Sequence, residues 1–130
     1  MVDEREPASG IRSISAVTLA VTDMARSVSF YRRLGFALRY GGGEAAFTSF
    51  CVGSGFLNLE LSRSAALPQR WGRVVFHVSD VDSLYERALA LGFAPGSPPR
   101  DAPWGERYFH LSDPDGHELS FARPLVGEAP

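Results

Sequence analysis

The sequence predicts an α+β fold built from two copies of one unit, a strand, a helix and three further strands. The two βαβββ modules form curved mixed sheets around a concave cavity, with the helices outside. Three observations carry this reading: an internal repeat, matched helix ends inside it, and turn residues that cut the remainder into short strands. Val17 to Ala37 aligns without a gap on Val74 to Ala94, an offset of 57, and seven of the 21 positions are identical. They are Val17/Val74, Val21/Val78, Asp23/Asp80, Leu34/Leu91, Gly35/Gly92, Phe36/Phe93 and Ala37/Ala94. Self-similarity at a fixed offset marks a duplicated structural unit.

The identities fall where a helix needs them. Asp23 and Asp80 each follow an apolar run and supply a capping carboxylate. Gly35 and Gly92 supply the left-handed residue that ends a helix. Between them Met24, Val28, Tyr31 and Leu34, and Val81, Leu84, Tyr85, Ala88 and Leu91, keep the spacing of one buried helical face. Short strands precede the helices at 13–21 and 73–78. After the first helix, Gly41-Gly42-Gly43 and Gly53-Ser54-Gly55 separate strands at 36–40, 45–52 and 56–61. The second copy predicts strands at 93–95, 106–111 and 117–122. Asp113-Pro114-Asp115-Gly116 joins the last two, with Pro fixing φ and Gly allowing a positive φ. The resulting single domain has modules at 13–61 and 73–123, a linker at 62–72, and flexible tails at 1–12 and 124–130.

The chain's 130 residues, 45% hydrophobic and 22% charged, suit one globular domain burying roughly two thirds of its unfolded surface. A net charge of −2, with no basic block, gives no footprint for nucleic acid. No apolar run has the length of a membrane span, and Asp3-Glu4-Arg5-Glu6 is unlike a secretory leader, so a cytoplasmic location is expected. Cys51 is the single cysteine and sits in an apolar run, which predicts a buried, inert thiol.

Two stretches carry a family resemblance. The first is Val17-Thr18-Leu19-Ala20-Val21-Thr22-Asp23, then Ser27-Val28-Ser29-Phe30-Tyr31 and Leu34-Gly35-Phe36. The second is Pro103-Trp104-Gly105-Glu106-Arg107-Tyr108-Phe109 with Asp113-Pro114-Asp115-Gly116. Together they resemble the vicinal oxygen chelate superfamily, which includes glyoxalase I, bleomycin and fosfomycin resistance proteins and extradiol dioxygenases. The bleomycin-resistance-like branch is the most similar. The resemblance spans about residues 13–123.

It also implies where a metal would be held. In the metal enzymes of this family the ligands lie near the start of the first strand, on the fourth, at the start of the fifth and on the eighth. By position these fall on Ala16, Glu60, Arg73 and Ser120. Alanine has no donor atom, arginine repels a cation and serine is a poor ligand, whereas a catalytic ion needs about three protein donors. The inherited site is therefore expected to hold no metal and no cofactor. Strand alternation turns Arg73, Val75 and His77 to one face, and Phe56, Asn58 and Glu60 to another. Tyr108 and His110 face inward by the same reasoning.

A displaced metal triad of Glu60, His77 and His110 is the alternative to hydrogen-bonding histidines in a cavity wall. Glu60 and Arg73 are expected to pair, by a bidentate contact that plugs the old site or presents Arg73 to an anionic ligand. His117, after a tight turn, reads as a surface residue. Trp71 reads as a packing or subunit contact. Phe47, Phe56, Trp104 and Tyr108 offer flat apolar walls for an aromatic ligand.

The leading expectation is a metal-free homodimer that holds a small organic, aromatic molecule, as in antibiotic sequestration. Glu60, Arg73, His77, His110 and Ser120 would be its polar contacts. The rivals are a glyoxalase-like lyase, isomerase or dioxygenase with displaced ligands, a metal-free enzyme using Glu60 or a histidine as base, and a dimeric module whose cavity is filled by its own side chains.

Overall fold

The computed structural model describes residues 10, 12–62 and 71–125. Most of the expected linker and tails lies outside the described residues. The chain runs β1 (Ala16–Val21), α1 (Met24–Leu34), β2 (Ala37–Tyr40), β3 (Phe47–Val52) and β4 (Gly55–Leu61). It continues as β5 (Arg73–His77), α2 (Val81–Ala90), β6 (Arg100–Asp101), β7 (Glu106–Ser112) and β8 (Glu118–Pro124). The sheets are ordered β1-β4-β3-β2 and β5-β8-β7-β6. In each, the first and last strands of a module pair in parallel and the rest are antiparallel.

Both helices are closed by the residues the repeat singles out. The Asp23 carboxylate accepts from Arg26 N at 3.1 Å and that of Asp80 from Ser83 N at 3.0 Å. Gly35 takes φ 110°, donating to Arg32 O, while Phe36 N reaches back to Tyr31 O. Gly92, at φ 86°, and Phe93 repeat that pair of bonds to Leu89 O and Ala88 O. These bonds satisfy carbonyls that a helix end otherwise leaves open.

One short strand differs from expectation. Residues 93–95 form no strand, and β7 takes its edge partner from Arg100 and Asp101. The Phe93 ring goes instead to the core, 4.7 Å from Phe30. Packing of a large ring outweighs the strand tendency of a three-residue run.

A single core joins the two modules through their helix-bearing faces. Leu19, Val21, Phe50, Leu57 and Leu59 come from the first sheet, and Phe76, Phe109, Leu111, Leu119 and Phe121 from the second. Phe36 bridges them, 5.1 Å from Phe76 and 6.5 Å from Phe121.

Polar contacts reinforce the joint. In the β7–β8 turn, Asp113 accepts a 2.7 Å bond from the Tyr31 hydroxyl, while its other oxygen accepts from Asp115 N and His117 N. Asp115 reaches the start of α1, accepting from Thr22 N, Thr22 Oγ1 and Ser27 Oγ. His117 is buried, contrary to the surface position its turn suggests. Its Nδ1 accepts from Trp71 Nε1 at 2.8 Å, which leaves Nε2 to donate to Ala20 O at 2.7 Å. The turn is tight, but the other module covers it, and local sequence cannot report that.

Candidate functional site

With the helix-bearing faces joined, the opposite face of each sheet is left open. Period-two alternation decides what it carries. On the first sheet these are Ala16 and Thr18 of β1, Asn58 and Glu60 of β4, and Phe47, Ser49 and Cys51 of β3. Cys51 is exposed, so the expectation of a buried thiol is corrected. The apolar run around it belongs to the alternate residues Phe50 and Val52, whose side chains turn to the core.

The centre of this face is polar. Thr18, Asn58 and Ser49 are directly paired across three neighbouring strands. Asn58 Nδ2 donates to Thr18 Oγ1 at 3.3 Å. Among the described residues, Asn58 Oδ1 and Ser49 Oγ are buried with no hydrogen-bond partner. Such atoms usually find one, because an unmade buried bond costs about 1–3 kcal/mol. Aromatic side chains flank this patch. The Arg39 guanidinium lies 3.8 Å above the Phe56 ring, and Tyr40 stacks on Phe47 at 6.1 Å.

The second open face is organised by two glutamates. Glu118 accepts from Arg73 Nε at 2.7 Å, with His110 Nδ1 3.6 Å from its other oxygen. Arg73 thus takes a partner from the neighbouring strand β8 within its own chain, and not Glu60. Glu106 binds His77 Nε2 at 2.9 Å and accepts from Trp104 Nε1 at 3.0 Å. The Trp104 and His77 bonds hold the Glu106 carboxyl below its ordinary range. Burial, helped by the nearby Arg73 charge, pushes the His110 pKa down. Trp104 stacks on Tyr108 at 5.7 Å, and Arg100 donates to the Tyr108 hydroxyl. Trp104 is 67% exposed, Val75 52% and Tyr40 49%, so this chain leaves large apolar groups uncovered on both open faces. A groove of about 450 Å³ between β1 and β5 joins the faces, with Ala16, Phe56, Trp71 and Arg73 in its walls.

The family model for the glyoxalase/bleomycin resistance protein/dioxygenase superfamily matches residues 13–121. The chain belongs to this superfamily. TioX from Micromonospora sp. ML1 is 30% identical, with a TM-score of 0.70 over 88% of this chain and 100% of that one. A glyoxalase/bleomycin resistance protein/dioxygenase from Nocardioides is 28% identical, with a TM-score of 0.69 over 93% and 89%. An uncharacterized Mycobacterium bovis protein, Mb0911c, is 40% identical over 48 residues, 37% of this chain and 32% of that protein. The match thus spans about a third of the length of the curated relatives.

Membership makes the metal positions a test of register. Ala16 pairs with Phe56, and Thr18 with Asn58. Its repeat mate Arg73 pairs with Glu118, and Val75 with Ser120. The counterpart of Ser120 on β4 is therefore Asn58, and the expected position at Glu60 is corrected. Glu60 pairs with Ala20, about 13 Å along the strand from the level of Ala16. With Asn58 in place of Glu60, none of the four positions carries a His, Cys, Asp or Glu. Among the described residues of one chain, no three such side chains gather where they could hold an ion. Within one chain Glu60, His77 and His110 do not gather as the displaced triad, and the histidines face Glu106 and Glu118.

Sequence reasoning missed Arg39, Ser49, Arg100, Glu106 and Glu118. Strand alternation was the available signal for Ser49 and the glutamates. Arg39 sits at an irregularity in the β2–β3 pairing, which breaks that alternation.

Proposed function

We propose that this superfamily member binds a small, flat, aromatic organic molecule without a metal, in a cavity closed by the open faces of two chains in a homodimer. Sequestration of an antibiotic is the role this best suits. The observation that carries the reading is the open face itself, where Phe47 under Tyr40 and Phe56 under Arg39 flank a polar centre. A ligand's rings take these walls. The uncovered Trp104, Val75 and Tyr40 favour a second copy over the same faces. The expected cytoplasmic location stays part of this proposal. Among the described residues, no helix is long and apolar enough to cross a membrane.

Native mass spectrometry of freshly purified protein tests this in one measurement. A mass of two chains, with or without a retained organic molecule and free of bound divalent ions, is the expected result. A monomer at high protein concentration overturns the shared cavity, and one divalent ion per chain overturns the metal-free reading.

One contact favours a second reading. His77 Nε2 lies 2.9 Å from Glu106, which Trp104 also holds, and the imidazole is half exposed. A histidine oriented by a carboxylate is the geometry of a general base. Turnover of a bound ligand, lost in His77→Gln with binding retained, would decide for this enzyme.

A further inference from the structure

The repeat is broken beside the core at Phe30, and a groove lies at the mismatched position. The offset of 57 relates Phe30 to Arg87 and Phe93 to Phe36. On one side of the joint Phe30 packs against Phe93 at 4.7 Å. On the other side the equivalent of Phe30 is Arg87, so Phe36 lacks the ring its repeat mate has. A groove of about 400 Å³ opens beside it, walled by Leu34, Phe36, Phe76, Leu84 and Phe121, with Arg87 along one side and Cys51 and His77 of the open faces also in its lining. That volume lies within the range of small-molecule sites.

The polar groups here are unequal. Asp80 is engaged as the α2 cap, accepting from Ser83 N. Arg87 uses Nε to donate to Arg33 O at 2.8 Å. Among the described residues its Nη1 and Nη2 have no acceptor. A planar guanidinium with two free donors is suited to a carboxylate or sulfonate.

From this broken symmetry we propose that the groove between the modules is a second ligand site, distinct from the Asn58 and Ser49 patch. Its ligand is an amphiphile with an apolar body and a single anionic head. The body lies against Phe36, Phe76 and Phe121, and the head is held by Arg87.

Two probes test it, 1-anilinonaphthalene-8-sulfonate by fluorescence and decanoate by competition. The expected result is a saturable probe site on each chain, beside any binding to the open faces, from which decanoate displaces the fluorophore. Arg87→Phe restores the ring that the repeat predicts and should weaken the probe at least tenfold, with the far-UV spectrum unchanged. Arg87→Gln keeps the groove open and removes only the charge, so it should weaken decanoate at least tenfold while decanol competes as before. The double variant Phe56→Ala/Tyr108→Ala alters the open faces and should leave the affinity of the decanoate-displaced probe within twofold. The proposal is overturned by probe affinity unmoved in both Arg87 variants, or by its loss in the Phe56/Tyr108 variant alone. The second outcome would place the probe on the open faces.

Discussion

Replacing Tyr31 by Phe should expose how much the joint between the modules depends on one hydrogen bond. Tyr31 is fully buried, and its hydroxyl donates to Asp113 at 2.7 Å across 82 residues of sequence. Burial, then the Asp113 charge, pushes the Tyr31 pKa well above its ordinary value, so it remains a donor. The ring persists in the variant, so almost no apolar packing is lost. What is lost is a hydrogen bond to a charged acceptor, worth about 2 kcal/mol, or roughly 7 °C in Tm for a domain of this size. The pH dependence is distinctive. Burial raises the Asp113 pKa above 3.8, against the hydrogen bonds from Tyr31, His117 N and Asp115 N that lower it. A carboxyl raised on folding contributes stability that is full below its unfolded pKa and is lost as pH rises through the folded one. Removing the Tyr31 donor raises the folded value further, so the penalty should grow from small near pH 4 to its full size by about pH 7. Urea unfolding of both proteins at the two pH values is the assay. A penalty below about 0.5 kcal/mol at pH 7, or an equal one at both, refutes the reasoning. In an Asp113→Asn background the same change should cost less than half as much.

Arg73→Ala should cost at most about 1 kcal/mol, because Arg73 and Glu118 form a half-exposed pair. A loss above about 3 kcal/mol in urea unfolding would require a buried partner, as a pairing with Glu60 across the proposed dimer would supply. The register correction has its own test. Ala16→His, Asn58→Glu, Arg73→His and Ser120→Glu together should create a site for one nickel or zinc ion per chain by calorimetry. The same set with Asn58 retained, relying on Glu60, should bind at least tenfold more weakly. Equal affinity would restore Glu60 as the β4 position.

The sequence by itself determined the duplicated βαβββ plan, the helix ends and the face assignment of most strand residues. Asp23, Asp80, Gly35 and Gly92 act within a few residues of themselves, so their roles are local and repeat visibly at one offset. Alternation likewise placed Arg73, His77, Tyr108 and His110 on one open face without reference to any partner. Which side chains meet was another matter. Glu60 and Arg73 had complementary charge and plausible positions, yet register set Glu60 opposite Ala20, and Glu118 from the neighbouring strand took Arg73. His117 read as exposed because its turn is tight, and became buried because Trp71 and Ala20 close over it. Phe93 read as strand and became core because Phe30, 63 positions away, offered it a ring. Local geometry is fixed by bonds spanning three or four residues, which a linear pattern records. Register and docking depend on contacts between segments far apart in sequence, and only the tertiary structure chooses among the many that chemistry allows.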